Sequence, residues 1–513
     1  MNPIDNRAAM TRRHAAGSPS SPLRRQLIRG AAALVGASMV GALPACNGES
    51  DALGATPDAG RASVPAGAAA RTAYAMPGED APHAATYMAF ASGAAGIWTR
   101  VTAGGTNAGI SRVRADLMDV AKAVGTYEPV NMLVLPADLA VARKLLDTPS
   151  GANPGIHAGY VRRPAGTGGV RLVPVANGFD DFWTRDTGCV FVKDARNGNA
   201  LCAVDFNFNG WGNANTDGVI VEDGGIWRVP DIPAAVRAAS NRSKAGVFYQ
   251  PFAHDNKLAA WMANAHRAPL IRSTLTLEGG ALEVDGEGTA IVTESSVLHV
   301  NRNPQLFSVP DGDVSRAKLL PTARETVRAE LQRTLGIDKV IWLPGTAIYP
   351  RRCGAGASPG AATPEAETDI TNGHADFYAK FLAPGVVAYA SDPANATGER
   401  ALMLDNLKHL SGQTDARGRA LQLVELAAPA EYGESDGVVL NRSQMANFAA
   451  GYINFYQCNG AFIVPKFNDA AADQAAVNAL RPYAGSRAIV QVDILGIASG
   501  GGGLHCATRE VPA

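Results

Sequence analysis

A glycine run followed by a cysteine near the C-terminus is the first feature of this 513-residue sequence that could do chemistry. Gly500–Gly503 precede Leu504, His505 and Cys506. Consecutive glycines lose much backbone entropy on folding, so they indicate a close approach of the backbone to a ligand or to another segment. Because the chain holds only six cysteines, a cysteine after such a run is a candidate nucleophile, with a buried structural thiol as the alternative.

A histidine and three carboxylates stand in three other short motifs. His374 and Asp376 share T-N-G-H-A-D, and in an extended segment positions i and i+2 point to the same side. Asp186 lies in F-W-T-R-D-T-G, and Glu278 lies in L-E-G-G. Each residue taken alone also fits a structural role: a turn for His374 or Glu278, and an ion pair for Asp186 after its neighbouring arginine.

The same side chains are ligand types for a metal, so a metal-dependent hydrolase is a competing interpretation. The sequence has neither an H-E-x-x-H nor a C-x-x-C motif, so spacing indicates no metal site. It has no phosphate-binding G-x-x-x-x-G-K-[ST], and no G-x-G-x-x-G follows a predicted strand, so nothing supports nucleotide binding. We therefore expect no metal and no cofactor.

Strand-like and helix-like segments alternate from about residue 82, which predicts an α/β fold. Buried-strand patterns cover Thr86–Phe90, Val130–Pro136, Val170–Val175, Gly188–Val192, Leu201–Phe206, Ala290–Thr293, Val340–Leu343, Val386–Ala390, Gln422–Glu425, Ala461–Pro465 and Ala488–Val492. Helical patterns cover Ser111–Val124, Asp138–Leu146, Ser315–Leu335, Asp405–Leu410 and Ala470–Leu480. The strand-type unit recurs without an exact repeat.

In their order along the chain, the motifs resemble those of the agmatine deiminase and bacterial, Porphyromonas-type, peptidylarginine deiminase family. The resemblance runs from Met76 to Pro512 and rests on W-x-R-D-T-G, L-E-G-G, T-N-G-H-x-D, Y-x-N-F-Y and G-G-x-x-H-C. It implies the α/β pentein fold, a pseudo-symmetric propeller of five α/β units around a central active-site pocket. It also implies hydrolysis of a guanidinium group to a urea and ammonia by covalent cysteine catalysis, without metal.

The resemblance assigns a role to each matching residue. Cys506 would attack the guanidinium carbon, and His374 would protonate the departing ammonia and later activate water. Asp186 and Asp376 would hold the guanidinium nitrogens, and Glu278 would keep His374 charged. A guanidinium is planar, always charged and rich in donors, so paired carboxylates suit it. Further substrate contacts are expected from Trp183, Asn454 and the backbone of Gly503.

The identity of the guanidine is a finer question. Peptidylarginine enzymes of the family have an arginine pair for the substrate's carboxylate, whereas residues 209–213 here read N-G-W-G-N, similar to the agmatine-type N-x-W-G. Agmatine, which would yield N-carbamoylputrescine, or a related free guanidine is therefore the preferred prediction. Peptidylarginine is the alternative, because the start of the chain resembles an export signal. The family resemblance associates an exported location with its peptidylarginine enzymes, whereas its agmatine enzymes are typically cytosolic. A catalytically silent extracytoplasmic binding lipoprotein is the alternative from another class.

The first 46 residues contain a basic part, an apolar part and a small-residue part, in the order that is typical of an export signal. The pair Arg24-Arg25 precedes an apolar run over residues 31–43, shorter than the ~20 residues that span a membrane. The arginine pair resembles a twin-arginine signal, and L-P-A-C resembles a lipobox with Cys46 as the lipidated residue. We therefore expect a periplasmic or extracytoplasmic lipoprotein, tethered to the membrane through Cys46.

The charge balance fits this organisation. The chain has 46 Lys and Arg against 47 Asp and Glu, and its first 46 residues hold six arginines and one acid. The remainder therefore has 40 basic and 46 acidic residues, which argues against a nucleic-acid partner and suits a cationic substrate. Residues 47–80, rich in Ala, Gly, Ser and Pro, are predicted to be a flexible tether, and 81–513 the catalytic domain. The sequence leaves an oligomer open.

Two features receive no single assignment. Residues 350–368 are loop-forming in composition, and they are either a mobile lid over the site or a surface insertion. Cys189, Cys202, Cys353 and Cys458 receive no role, and in an exported protein two of them could pair.

Overall fold

Short strands and their connecting helices make up most of the chain that the computed structural model describes, namely residues 74–93, 109–212, 252–299, 302–306, 316–346, 371–395, 399–430 and 448–513. The strands are β1 (Tyr74–Ala75), β2 (His83–Ala89), β3 (Pro129–Val134), β4 (Gly169–Pro174), β5 (Val190–Asp194), β6 (Ala200–Asp205), β7 (Leu270–Arg272), β8 (Leu282–Val284), β9 (Thr289–Thr293), β10 (Lys339–Leu343), β11 (Ala379–Ala383), β12 (Val386–Ser391), β13 (Gln422–Ala427), β14 (Tyr456–Cys458), β15 (Ala461–Lys466), β16 (Ala488–Asp493) and β17 (Arg509–Pro512). The helices are α1 (Gly109–Gly125), α2 (Leu139–Asp147), α3 (Pro154–Val161), α4 (Thr184–Thr187), α5 (Leu258–Ala265), α6 (Glu294–Val297), α7 (Arg316–Leu335), α8 (Arg400–Leu410), α9 (Ala470–Ala484) and α10 (Leu495–Ala498).

The strands of the described residues form five sheets that repeat one arrangement. Two strands pair antiparallel, and a connection that contains a helix then brings the chain to a third strand, parallel to the second. In one unit β11 and β12 pair antiparallel, α8 follows, and β13 pairs parallel with β12. The units β5-β6-α5-β7, β8-β9-α7-β10 and β14-β15-α9-β16 have the same order. A parallel return requires such a crossover, which explains the alternation of strand and helix patterns.

The fifth unit joins the two ends of the described chain. β2 pairs parallel with β3 across α1, and its antiparallel partner is the C-terminal strand β17. In that pair Arg509 lies opposite Tyr87, and Val511 lies opposite Ala85. β4 adds a strand beside β3, and β1 adds one beside β5. The residues just before β17 are therefore positioned by a strand from the other end of the domain.

Helix α1 illustrates how the helices are held on the sheets. Val113, Leu117, Val120 and Val124 recur at helical spacing and are fully buried. They share one hydrophobic cluster with side chains of β2, β3 and β15. Because each buried Val or Leu side chain stabilises the fold by about 1.5–3 kcal/mol, this stripe holds the fifth unit's sheet in place.

Each strand or helix predicted from periodicity overlaps an observed element of the same type. The predicted strands correspond to β2, β3, β4, β5, β6, β9, β10, β12, β13, β15 and β16, and the predicted helices to α1, α2, α7, α8 and α9. The prediction missed β1, β7, β8, β11, β14 and β17. Apart from β11, which is as long as some predicted strands, these strands have only two to four residues, too few to show an alternation.

The predicted end of the tether at residue 80 is wrong. Tyr74–Ala75 pairs with β5, and Met76 is buried. Glu79 forms ion pairs with Arg185 and Lys380. Residues 74–80 therefore belong to the folded domain.

Other predictions fall on residues outside the described part of the chain. These are the export signal with Cys46, the preceding part of the tether, Cys353 and the loop 350–368. The cysteines that the structure does describe, Cys189, Cys202, Cys458 and Cys506, are free thiols, so no two of them are paired. Within the same described residues, no helix is long and apolar enough to cross a membrane.

Candidate active site

One place in each unit holds the polar motifs: the segment that directly precedes the unit's first strand. A turn there leads into a strand that is anchored by its sheet, so a side chain in the turn has a fixed origin. The residues at these places are Asp186 before β5, Glu278 before β8, His374 and Asp376 before β11, Asn454 before β14 and Cys506 before β17.

Cys506 lies where the segments before β17, β11 and β14 meet. Its side chain is 3 % exposed. Its Sγ is 3.6 Å from Asp376 Oδ2 and accepts a 3.4 Å hydrogen bond from the Asn454 side-chain amide. Burial and the carboxylates of Asp376 and Asp186 raise the pKa of the Cys506 thiol well above its usual range. The thiol is therefore protonated at neutral pH, and it needs a nearby cation to ionise.

His374 is fully buried against the segment before β8. Its Nε2 is 3.1 Å from Glu278 Oε2, and its Nδ1 is 3.8 Å from Asp186 Oδ1. Burial alone would lower the pKa of His374, but Asp186 and Glu278 outweigh it and raise that pKa to about 9. The imidazole is thus a cation at neutral pH and can act as a general acid.

Glu278 is held in its ionised form by Arg302. Both carboxylate oxygens accept hydrogen bonds from Arg302 Nε, at 2.8 and 2.9 Å, and both side chains are fully buried. Although burial opposes ionisation, Arg302 and His374 lower the pKa of Glu278 to about 2. Arg302 Nη2 also donates to the Thr371 carbonyl oxygen at 2.8 Å, which ties the ion pair to the His374 motif.

Asp186 is oriented by two donors. The Trp211 indole N–H donates to its Oδ2 at 2.9 Å, and the Gly280 backbone N–H donates to its Oδ1 at 3.0 Å. The neighbouring Arg185 pairs with two glutamates instead. The alternative that Asp186 and Arg185 form a structural ion pair is therefore wrong, and Asp186 faces the site.

His374 and Asp376 do not share an extended segment, contrary to prediction. Residues Ala375–Phe377 form a single 3-10 turn, so the two side chains reach different neighbours. His374 contacts Glu278, whereas Asp376 Oδ2 accepts a 2.8 Å hydrogen bond from His505 Nδ1. Both side chains nevertheless lie beside Gly280, and their roles at this place stay predictions.

The space beside Gly280 is where these groups converge. A methyl group on its Cα would lie 2.6 Å from His374 Nδ1, 2.9 Å from Asp186 Oδ1 and 3.1 Å from Asp376 Oδ2. His374 Nδ1 and Asp376 Oδ1 are buried and have no hydrogen-bond partner among the described residues. Two carboxylates and an imidazolium thus converge beside Gly280, and paired carboxylates are groups that can hold a small planar cation.

The glycines before Cys506 permit close approach, as predicted. Gly503 lies so near the Asn454 side-chain oxygen, and Gly502 so near the Trp183 ring, that neither place admits a side chain. Asn454 Oδ1 also accepts a 3.4 Å hydrogen bond from the Cys506 backbone N–H. Asn454 and the Gly503 backbone therefore lie beside the thiol, and Trp183 packs against Gly502. Their contact with a substrate stays a prediction.

The sequence matches the family model described as Porphyromonas-type peptidyl-arginine deiminase over residues 75–351 and 361–512. The chain belongs to this family. A relative from Streptomyces coelicolor is 33 % identical over 86 % of this chain and 99 % of its own length. The agmatine deiminase of Stutzerimonas stutzeri is 30 % identical over 86 % of this chain and 96 % of its own.

Solved structures have the same fold. The agmatine deiminase of Enterococcus faecalis is 24 % identical in sequence and superposes with a TM-score of 0.59. The match covers 86 % of this chain and 96 % of the Enterococcus faecalis chain. The predicted α/β pentein fold class is confirmed. The five repeated sheets of the described residues are consistent with its five-bladed propeller.

Four residues that support the family's site were missed by sequence reasoning: Glu79, Trp211, Arg302 and His505. Trp211 stands in N-G-W-G-N and His505 in G-G-x-x-H-C, but the ion-pair or hydrogen-bond partners of all four lie far away in the sequence. Each contacts a residue of another unit, for example Arg302 with Thr371 and Trp211 with Asn372. A polar side chain inside an apolar or glycine-rich motif was the available signal.

Proposed function

We propose that this protein is a cysteine-dependent guanidine deiminase, a hydrolase of linear amidine C–N bonds, whose preferred substrate is agmatine or a similar free guanidine. The observation that supports it most directly is the convergence of Asp186, Asp376 and His374 beside Gly280, near the Cys506 thiol. Paired carboxylates can accept hydrogen bonds from a planar cation with donors along its edges. Family membership and the agmatine deiminase relatives support the same reaction.

The substrate supplies the cation that the resting thiol lacks. Asp376 and Asp186 hold the guanidinium nitrogens through charge-assisted hydrogen bonds. The bound cation then lies next to Cys506 Sγ, which is 3.6 Å from Asp376 Oδ2. Its charge offsets the two carboxylates and lowers the pKa of Cys506, so substrate binding and formation of the thiolate are linked.

Hydrolysis proceeds through a covalent intermediate. The thiolate attacks the guanidinium carbon to form a C–S bond, and the His374 imidazolium gives a proton to the amino group that leaves as ammonia. The neutral His374 then takes a proton from water, and the oxygen bonds to the same carbon. The C–S bond breaks to release the thiolate, and the remaining hydroxyl proton is lost to solvent or to the ammonia, which leaves the urea carbonyl. One water is consumed, and a ureido compound and ammonia are formed. Glu278 stabilises the imidazolium at both ends of the cycle.

We prefer agmatine over peptidylarginine as the substrate because of the segment Asn209–Gly212, which contacts Asp186 through Trp211. Asn209–Gly212 is a tight turn in which the Gly212 N–H donates to Asn209 Oδ1 at 2.9 Å. The turn presents the Trp211 indole to Asp186. The segment contains no arginine for a substrate carboxylate, which agmatine also lacks.

Product assays with matched variants test this function. Ureido product is measured from agmatine and from an arginyl peptide, with and without a chelator. We expect turnover of agmatine that survives the chelator, and none in Cys506→Ala or Cys506→Ser although circular dichroism shows that both fold. Cys458→Ala, at another buried free thiol, is the control and should stay active.

The other outcomes decide between the alternatives. Product lost with chelator would favour the metal hydrolase, and preferred turnover of the peptide would favour the peptidylarginine deiminase. Guanidine binding without any product would favour the binding lipoprotein. Full activity in Cys506→Ala would rule out the proposed mechanism.

We also propose that the protein is exported and anchored to the membrane by a lipid on Cys46. The Arg24-Arg25 pair, the apolar run over residues 31–43 and the L-P-A-C sequence support this. Labelled fatty acid should be incorporated into the wild type but not into Cys46→Ser. Activity confined to the cytoplasmic fraction would contradict export.

A further inference from the structure

His505, which directly precedes Cys506, is buried between two carboxylates. Its Nδ1 is 2.8 Å from Asp376 Oδ2, and its Nε2 is 2.7 Å from Glu79 Oε2. A neutral imidazole has one N–H, so it could donate to only one of these oxygens. When both carboxylates are ionised, only the doubly protonated imidazolium can donate to both of them at once.

Glu79 is an anion that anchors this imidazolium. Lys380 Nζ lies 2.9 Å from Glu79 Oε1, and Arg185 Nη2 lies 3.0 Å from Glu79 Oε2. Although burial opposes ionisation, Lys380 and His505 lower the pKa of Glu79. Glu283 Oε1 completes the surroundings, at 3.7 Å from Lys380 Nζ and 3.8 Å from His505 Nε2.

The charges that face His505 favour its protonated form on balance. Burial, Arg185 and Lys380 oppose a charge on the ring, but Glu79 and Asp376 outweigh them and raise the pKa of His505. The two carboxylates have the larger effect on the pKa of His505 because each lies at hydrogen-bond distance from a ring nitrogen.

Asp376 Oδ2 is the oxygen that connects His505 to the reaction. It accepts from His505, it lies 3.6 Å from Cys506 Sγ, and it borders the space beside Gly280. Without a donor at Oδ2, Asp376 would be a buried carboxylate close to the acids Asp186 and Glu283, an arrangement that favours taking up a proton.

We propose that His505 is a positioning residue whose imidazolium clamps Asp376 to Glu79, keeping Asp376 ionised and fixed so that it holds the guanidinium next to Cys506. This clamp, the series Asp376–His505–Glu79, rests on the proposed deiminase function. It deepens that function because it assigns the substrate-holding carboxylate a support from the first folded residues of the domain.

Two amide substitutions separate the halves of the clamp. In His505→Asn the side-chain NH2 reaches the place of Nδ1 and donates to Asp376, but nothing reaches Glu79. In His505→Gln the NH2 reaches the place of Nε2 and donates to Glu79, and Asp376 loses its donor. Both variants remove the same charge, so a difference between them reports the Asp376 contact.

We expect His505→Gln to lower kcat/KM for agmatine about 10²-fold, mainly through a higher KM, because the guanidinium is misplaced. The acid limb of the pH profile of kcat/KM should move to higher pH in this variant, since Asp376 takes up a proton more easily without His505. His505→Asn should lower kcat/KM about tenfold or less, and the acid limb of its pH profile should shift less, because the variant keeps a hydrogen-bond donor to Asp376.

A histidine outside the site provides the control. His83→Gln removes another buried histidine–carboxylate pair, in which His83 Nδ1 is 3.1 Å from Glu128 Oε1. It should lower the melting temperature without moving the pH profile. Equal losses in His505→Asn and His505→Gln that follow their stabilities, with an unchanged pH profile, would overturn the clamp.

A measurement without substrate separates failure of the clamp from failure of the proposed function. Nitrogen-15 NMR of histidine-labelled protein, with His505 assigned by its loss in His505→Asn, should show His505 still an imidazolium at a pH above the ordinary histidine pKa of about 6.5. A neutral His505 would overturn the clamp whatever the substrate is. An imidazolium in a protein that hydrolyses no guanidine would support the clamp and reject the deiminase.

Discussion

Among single residues, His374 depends on its acidic neighbours for the charge that general acid catalysis requires. Asp186 and Glu278 raise its pKa to about 9 against the effect of burial. The acid form is therefore abundant at neutral pH and is lost as the pH rises through about 9. The alkaline limb of activity should report this titration.

The Glu278→Gln variant tests that assignment. Removing the charge withdraws one of the groups that raise the pKa of His374, so the alkaline limb should move to lower pH. We expect kcat to fall at least about 10²-fold at neutral pH, the lower end of what general acid–base catalysis contributes. Glu325→Gln, at an exposed carboxylate paired with Arg328, is the control and should not move the limb. An unchanged limb in Glu278→Gln would contradict the assignment.

Thiol reactivity and turnover should respond to Asp376→Asn in opposite directions. Asp376 helps to raise the pKa of Cys506, so its neutralisation should lower that pKa and speed alkylation by iodoacetamide. The same change removes a charged partner of the guanidinium and should lower kcat/KM about 10- to 100-fold. Cys506→Ala gives the background alkylation of the other thiols. Slower alkylation in Asp376→Asn would show that the carboxylate does not act on the thiol.

Among the elements, the turns that precede the first strand of each unit hold the residues proposed to do the chemistry. At Gly280 the polar groups of two other such turns lie so close that its own turn has no place for a side chain. Gly280→Ala would place a methyl group within 3.1 Å of three polar atoms of the site. We expect a loss of about 10²-fold in kcat/KM, because a displaced substrate reacts poorly. Steady-state kinetics with agmatine measures it.

Gly451→Ala is the matched control for this change. It also lies in a motif before a first strand, but the nearest atom to its added methyl group is 3.5 Å away, an ordinary contact. It should change neither kcat/KM nor the melting temperature. Equal activities of Gly280→Ala and the wild type would mean that the substrate does not occupy the space beside Gly280.

The elements also show which parts of the fold were predictable. β15 was predicted because A-F-I-V-P is a continuous apolar run, and five of its residues are fully buried. β17 was missed because R-E-V-P is short and polar, and its burial comes from pairing with β2. The 3-10 turn at Ala375–Phe377 was missed because a spacing of two residues does not distinguish a strand from a turn.

For the molecule as a whole, buried histidines link stability to pH. The pKa values of His83, His374 and His505 are raised by carboxylates that outweigh burial, for His374 to about 9. A raised pKa in the folded state gives stability that is complete below the unfolded value of about 6.5 and is lost as the pH rises through the folded value. We therefore expect the melting temperature to fall between about pH 6.5 and pH 9.

The carboxylates set the acid side of this stability profile. The pKa of Glu278 is lowered to about 2 by Arg302 despite burial, so its contribution is complete above the unfolded value of about 4.3 and is lost as the pH falls towards 2. Stability should thus be greatest between about pH 4.5 and pH 6.5. Calorimetry across the pH range measures it, and His83→Gln should make the alkaline decline less steep. A melting temperature that rises from pH 6.5 to pH 9 would contradict this account.

The sequence by itself determined the α/β class, the position of the longer strands and helices, and which residue types were available for chemistry. These are local properties: periodicity follows from neighbouring residues, and motifs such as T-N-G-H-A-D are contiguous. Only the tertiary structure decided which groups meet. Pairing of β17 with β2 fixes the segment that holds Cys506, and packing of separate units joins Arg302 to Thr371 and Asp376 to His505. The charge states of the thiol and the imidazoles depend on burial and on these pairs, which exist only when the units are packed together.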